Sequence, residues 1–436
     1  MVKQRALWIV ALAFVSCLAL PAQQTDSAPA TSSTAKQTET DEYTRYELLA
    51  PNTASFKIHY EVTATTPGAK FFYNPIRKGS TASDESVLDS MTGEPLPFQV
   101  VSGAEARKDP LMPDADIDTN YIKISLVRPV PPEGQGRVLI LKTYKDAKSY
   151  YREGDAIVFN RPLGIKRNKV VLPDGYELVG CNVPSQILSE PDGRISISFM
   201  NASAGEAPLI LRAKLGAQTG AAAAPHPATQ ARSWESPFQG ETERARLSER
   251  AHQDRDIVYF LQQPETHAFS LYHDYTESHE GADKYLNVVR EGSTVSDPSA
   301  YILDTGEKLS TKLMTGADLA AAKIDAGEPV APTTQVVLIP FPAVKKGQSI
   351  RLRISETYTA PVSYRLDGDE IVFDRSLGRS RNAVVLPTGW YLTANSIPAT
   401  VAQLPDGRVR LDFWNGRPDS VDVLIKAKRR VSAPPK

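Results

Sequence analysis

The sequence predicts an all-β protein, built as two tandem homologous antiparallel β-sandwich domains joined by a flexible linker. Three observations carry this. A long segment is written twice: GDAIVFNRPLGIKRNKVVLPDGY at Gly154–Tyr176 returns as GDEIVFDRSLGRSRNAVVLPTGW at Gly368–Trp390. Apolar side chains alternate with polar ones every second residue, the period of a half-buried strand. Gly and Pro punctuate these runs about every ten residues, as antiparallel sandwiches require.

In chain order, residues 1–22 have the three parts of a secretory signal: Lys3 and Arg5, the apolar run Ala6–Leu20, and a small-residue site ending at Ala22. The expectation is an exported protein, periplasmic or extracellular, with no transmembrane segment in the mature chain. Two minor alternatives are an uncleaved anchor and a lipid anchor through Cys17. Residues 23–42 are Ser-, Thr-, Ala- and Gln-rich and bury too little to order, so they form a disordered leader. Repeat 1 spans 43–215. Residues 216–256 read as a linker rich in Ala, Pro and Gly, with a short polar helix from Thr242 to about Gln253. Repeat 2 spans 257–430, and 431–436 form a disordered tail.

The copies match in several separate blocks. YELLAPNTASFKIHYEVT from Tyr46 aligns with YFLQQPETHAFSLYHDYT from Tyr259, and RKGSTASD from Arg77 with REGSTVSD from Arg290. A one-residue shift falls between Arg107 and Ser149. PDGRISISFMN from Pro191 then aligns with PDGRVRLDFWN from Pro405. Such a unit is too long for a short-repeat solenoid and large enough to hold its own core. Within it, Phe56, Ile58, Tyr60 and Val62 share one face; Phe269, Leu271, His273 and Tyr275 repeat the pattern. PDG at Pro173, Pro191 and Pro405 suits tight reversals. One helix is expected near Ala317, in ADLAAAKI.

Composition excludes several functions. With 50 Lys and Arg against 51 Asp and Glu, no basic stripe marks a nucleic-acid binder. Beyond the signal Cys181 stands alone, so neither an internal disulfide nor a Cys-based metal site can form. His267, His273 and His279 recur every six residues, which spreads them too far along a strand to share an ion, and a hydrogen-bonded core His273 is expected. Asp114, Asp116 and Asp118 lack the Gly and closing Glu of a calcium loop and read as a solvated acidic loop. Serines of the two GST segments, Arg77–Asp84 and Arg290–Asp297, stand in no nucleophile elbow and suit turns. No cofactor, metal or catalytic residue is assigned.

Two constellations remain. The repeated segment shares Asp155/Asp369, Arg161/Arg375, Arg167/Arg381 and Asn168/Asn382. The arginines suit either an anion clamp or a structural brace, and the brace is preferred because no catalytic partner accompanies them. By strand parity Tyr391 and Trp414 point outward, with Arg410 and Asp412 beside Trp414. This patch suits a glycan ring or a protein partner. In architecture alone the domains resemble the noncatalytic β-domains attached to exported peptidases. The reading that follows is a non-enzymatic exported protein binding a protein or a cell-envelope or glycan partner. The alternative is a secreted or periplasmic hydrolase with an unrecognised site at the domain junction.

Overall fold

The computed structural model describes residues 36–203, 205–216, 249–327, 329–417 and 419–430. The signal with Cys17, most of the leader, the bulk of the linker with most of its expected helix, and the tail lie outside the described residues. No helix among the described residues is long and apolar enough to cross a membrane.

The chain is nearly all-β, with its sheets in two similar halves. Each repeat holds one large sheet, one of four strands and one of three. In repeat 1 the large sheet has seven strands. At its centre the first strand, Glu39–Leu48, lies between Arg167–Val171 and Ser55–Ala64, and Gly136–Lys145 follows. In repeat 2 the large sheet has eight. Its central order is Arg381–Val385, Asp256–Leu261, Ala268–Glu277 and Ile350–Thr359. One pair in each runs parallel: Tyr43 to Glu47 beside Arg167 to Val171, and Asp256 to Phe260 beside Arg381 to Val385. Alternation fixes which face a side chain takes, not the direction of the neighbouring strand, so this pairing is not visible in the sequence. The first strand begins at Glu39, inside the segment expected to be a disordered leader.

Each repeat closes over its own apolar interior. In repeat 1, Phe56, Phe159, Phe72 and Ile122 are fully buried and come from all three sheets. In repeat 2, Phe269, Phe373 and Ile339 do the same. The two clusters share no residue. Positive-φ positions also recur in pairs: Ala54 and His267 end matching 3-10 turns, and Asp84 and Asp297 sit at matching β-bulges. The bulges place the GST segments at sheet irregularities. The helix near Ala317 is Gly316–Ala321, capped by Thr315 and Asp318.

The halves are also pinned to each other. Arg137 of repeat 1 makes a two-pronged contact with Asp304 of repeat 2, at 2.6 and 3.0 Å, and their side chains are 9% and 2% exposed. Gln135 N donates to Leu303 O, and Ser349 N to Met91 O. The backbones approach so closely that a Cβ at Gly134 would lie 2.5 Å from Leu303 O. Gly134→Ala should therefore lower stability by about 1–3 kcal/mol. Gly205→Ala, with nothing within 4 Å, should stay within about 0.5 kcal/mol; urea denaturation of both variants checks this.

Candidate functional site

The outer faces of the two large sheets carry equivalent rows of directly opposed side chains. In repeat 1 the row runs Leu139, Glu61, Tyr43, Arg167, Met200. In repeat 2 it runs Arg353, Asp274, Asp256, Arg381, Trp414. The rows match strand for strand but meet different surroundings.

On repeat 1 the chain returning from the linker crosses the row. Tyr43 donates to Glu249 at 2.8 Å, and Lys169 donates to the other oxygen of Glu249 at 2.6 Å. The guanidinium of Arg167, 1% exposed, donates to the carbonyls of Ala251 and His252. His252 packs against the Tyr43 ring with centroids 4.7 Å apart, and its Nε2 meets Glu61 Oε1 at 3.2 Å. The hydrogen bond to Glu61 raises the His252 pKa above the ordinary imidazole value, outweighing the cost of partial burial. Glu249, Ala251 and His252 are thus bound to repeat 1, while Gln253 and Asp254 meet Ser380 and Arg351 of repeat 2, although the sequence assigns all of them to the linker. The dyad opens on a cavity of about 720 Å³ between the repeats, whose lining includes Asp254, Arg255, Ser278 and Ser349. Among these, Arg255 lies over the Tyr275 ring, 4.6 Å from its centroid.

On repeat 2 the equivalent face floors a larger junction cavity of about 1090 Å³, walled by Pro132 to Gln135, Lys166 and Asn201 of repeat 1. Here charges neutralise one another, across strands for Arg353–Asp274 and Arg381–Asp256 and along one strand for Arg410–Asp412. Arg353 grips Asp274 with two bonds of 2.8 Å while lying 4.2 Å over the Tyr272 ring. Arg381 pairs with Asp256 at 2.5 Å, and Arg410 with Asp412 at 2.7 Å. Carboxylates gripped this way by guanidinium groups are held in one geometry, an arrangement suited to orienting a ligand.

Of the residues proposed from sequence as a binding patch, Arg410, Asp412 and Trp414 line this larger cavity. Tyr391 does not: it lies on Trp390–Asn395 of the four-stranded sheet, 42% exposed. The shared polar residues of the repeated segment separate in the same way. Asp155 and Asp369 sit at exposed turns and pair with Lys214 and Lys428, away from the arginines. Asn168 and Asn382 each donate to the carbonyl three residues before, Ile165 and Arg379, and so shape the turn. Arg161 is braced by Asp146 at 2.9 Å and Ser149 at 3.2 Å. Arg375, its counterpart, has no such partner: its Nε and Nη1 are buried without a hydrogen bond.

His273 is buried, but neither ring nitrogen has a hydrogen-bond partner, contrary to the expectation of a bonded core histidine. Burial, then Arg379 and Arg255, push its pKa down to about 3, so it stays neutral. His267 lies at a turn outside the strand, and His279 beyond the strand's end at Glu277. Asp114 and Asp116 pair with Lys36 and Lys78. Cys181 is half-buried and donates to Val183 O. Among the described residues, no three His, Cys, Asp or Glu cluster to hold a metal ion.

No known protein family and no curated protein matches the sequence. Solved structures match part of it. An M1 zinc metallopeptidase from Deinococcus radiodurans is 10% identical over 41% of this chain and 42% of its own, with a TM-score of 0.29. A point mutant of that metallopeptidase bound to a Tyr-Ser-Ala substrate gives 10%, 41% and 42%, with a TM-score of 0.28. An aminopeptidase N family protein from Idiomarina loihiensis is 12% identical over 39% of this chain and 29% of its own, with a TM-score of 0.24. The chain spans less than half the length of these proteins. Where the sequence reading expected a non-enzymatic binding protein, the partial likeness runs instead to peptidases. At this identity and overlap it assigns no activity and no site residue here.

Proposed function

We propose that the chain is an exported hydrolase acting on an ester or amide at the junction of its two repeats, with His252 as general base and Glu61 as its orienting carboxylate. The observation that carries this reading is the His252–Glu61 contact of 3.2 Å on the wall of a 720 Å³ cavity to which both repeats contribute. A histidine held by a carboxylate is the base-and-orienter pair of many acyl-transfer sites. Glu61 fixes the proton on Nε2, which leaves Nδ1 to accept a proton from water. The water oxygen adds to the acyl carbon, Arg255 balances charge developing on the acyl oxygen, and the proton passes from Nδ1 to the departing amine or alcohol as its bond to carbon breaks. Glu61 stabilises the imidazolium in between.

The test is turnover of a panel of chromogenic esters and aminoacyl anilides by the purified protein. His252→Ala should reduce kcat at least about a hundredfold. The rate should rise with pH through a pKa above the ordinary imidazole value, because only neutral His252 acts as base. Glu61→Gln should move that rise to lower pH, since it removes the contact that stabilises the protonated ring. Absence of turnover across the panel, or full activity in His252→Ala, overturns the assignment.

A further inference from the structure

The two repeats carry a second pair of equivalent cavities, inside the repeats rather than between them. That of repeat 1, about 300 Å³, is lined by Tyr46, Asn74, Arg77, Lys142, Tyr144 and Arg161. That of repeat 2, about 450 Å³, is lined at the matching positions by Tyr259, Asn287, Arg290, Glu356, Tyr358 and Arg375. The framework is the same and the charges differ.

In repeat 1 the buried arginine has an internal counter-ion. Arg161 is buried over the Phe56 and Tyr144 rings and bonded to Asp146, whose backbone accepts from Ser149 N and Tyr150 N. Lys142 donates to Asn74 Oδ1 at 2.6 Å, and burial with Arg161 pushes its pKa down to about 8. In repeat 2 the residue in the place of Asp146 is Ala360. Its carbonyl accepts the same pair of backbone bonds, from Ser363 N and Tyr364 N, so the turn is kept and only the carboxylate is gone. Arg375 is still 7% exposed and still lies over aromatic rings, Phe269 at 5.3 Å and Tyr259 at 5.6 Å. Its Nε and Nη1 find no acceptor.

Four more arginines line this cavity: Arg250, Arg255, Arg290 and Arg379. Arg290 donates to Ser376 O, Arg250 to Asn415 O and Gly378 O, and Arg379 to the Tyr285 hydroxyl, all neutral acceptors. Among the described residues none of the five forms an ion pair. The single carboxylate in the lining, Glu356, is buried, takes two bonds from Asn287, and is biased toward its neutral form by burial. A buried guanidinium without a counter-ion is among the most costly arrangements in a protein, and an anion from solution removes that cost.

We propose that the interior cavity of repeat 2 is a binding site for a small organic oxyanion, a carboxylate or phosphate group seated on Arg375 with its carbon body between Tyr259 and Tyr358. The volume lies within the range of small-molecule pockets, and arginine is the side chain suited to both oxyanions. This cavity shares Arg255 with that of the His252–Glu61 pair but contains neither His252 nor Glu61, and its test reads binding, not turnover.

Calorimetric titration and thermal unfolding of the full chain with succinate, phenylacetate and phenyl phosphate, against sodium chloride at equal ionic strength, decide it. At least one probe should bind saturably and raise the Tm; the carboxylate and phosphate arms show which group the site prefers. Ala360→Asp supplies the internal carboxylate that repeat 1 has, and should weaken that binding about tenfold or more while keeping or raising the Tm without ligand. Arg379→Met, a half-buried change at the cavity wall, should weaken it less. The proposal fails if no probe exceeds the chloride control, or if Ala360→Asp binds as tightly as the original chain.

Discussion

Asp146→Ala should destabilise the protein by about 3–5 kcal/mol, the cost of removing one partner of a buried ion pair. Both side chains are largely buried, at 8% for Asp146 and 5% for Arg161. Asp146 also accepts from Ser149 Oγ and from the backbone N–H groups of Lys148 and Ser149. These bonds, with Arg161, hold the Asp146 carboxyl below the usual range and outweigh its burial. A depressed carboxyl contributes stability that is present above its unfolded pKa and is lost as pH falls through the folded one. The gap between the original chain and Asp146→Ala should therefore be full at neutral pH and narrow in acid. Urea denaturation at several pH values measures both effects. A gap unchanged down to pH 2 would show that Asp146 acts through its size alone.

Asp304→Ala should cost about as much, roughly 3–5 kcal/mol, for the same reason, but its signature should differ. Asp304 takes both prongs of Arg137 from the other repeat and also accepts from Arg351 N. Its backbone carbonyl accepts from Arg128. It therefore holds a junction rather than one core. Calorimetry should resolve the loss as a separation of the melting of the two repeats, whereas Asp146→Ala should lower the repeat that contains it. A single transition that keeps its shape and its Tm in Asp304→Ala would refute the coupling role.

Much of the fold is written in the two-residue rhythm. Phe56, Ile58, Tyr60 and Val62, and their counterparts from Phe269 onward, face inward because one-face burial forces that period. The parallel neighbour of the first strand is invisible at this level, since it depends on Val170 and Val384 finding a partner far away in sequence. The candidate sites were less legible, and for identifiable reasons. His252 and Glu249 stand in a stretch whose composition reads as linker, and only contact with Glu61, Tyr43 and Lys169 gives them a role. Parity sends Tyr391 and Trp414 outward but does not say that their strands belong to different sheets. The exchange of Asp146 for Ala360 falls in the stretch where the repeats slip register. Asn74 pairs with Ile122 while Asn287 pairs with Val337, so the offset between copies there differs from that of the flanking blocks. The signal that could have found the arginine cavity was this lost acid, beside an arginine that was kept.

The crossing of repeat 1 by Glu249, Ala251 and His252 has a consequence for the order of synthesis. A ribosome completes the last strand of repeat 1, Ala207–Leu215, well before it delivers these residues. Until they emerge, Arg167 and Lys169 lack the carbonyls and the Glu249 carboxylate that receive them in the finished protein. The first half of the nascent chain must then wait, incomplete on one face, while the second half begins to appear, so the maturation of the earlier unit is timed by the arrival of the later one.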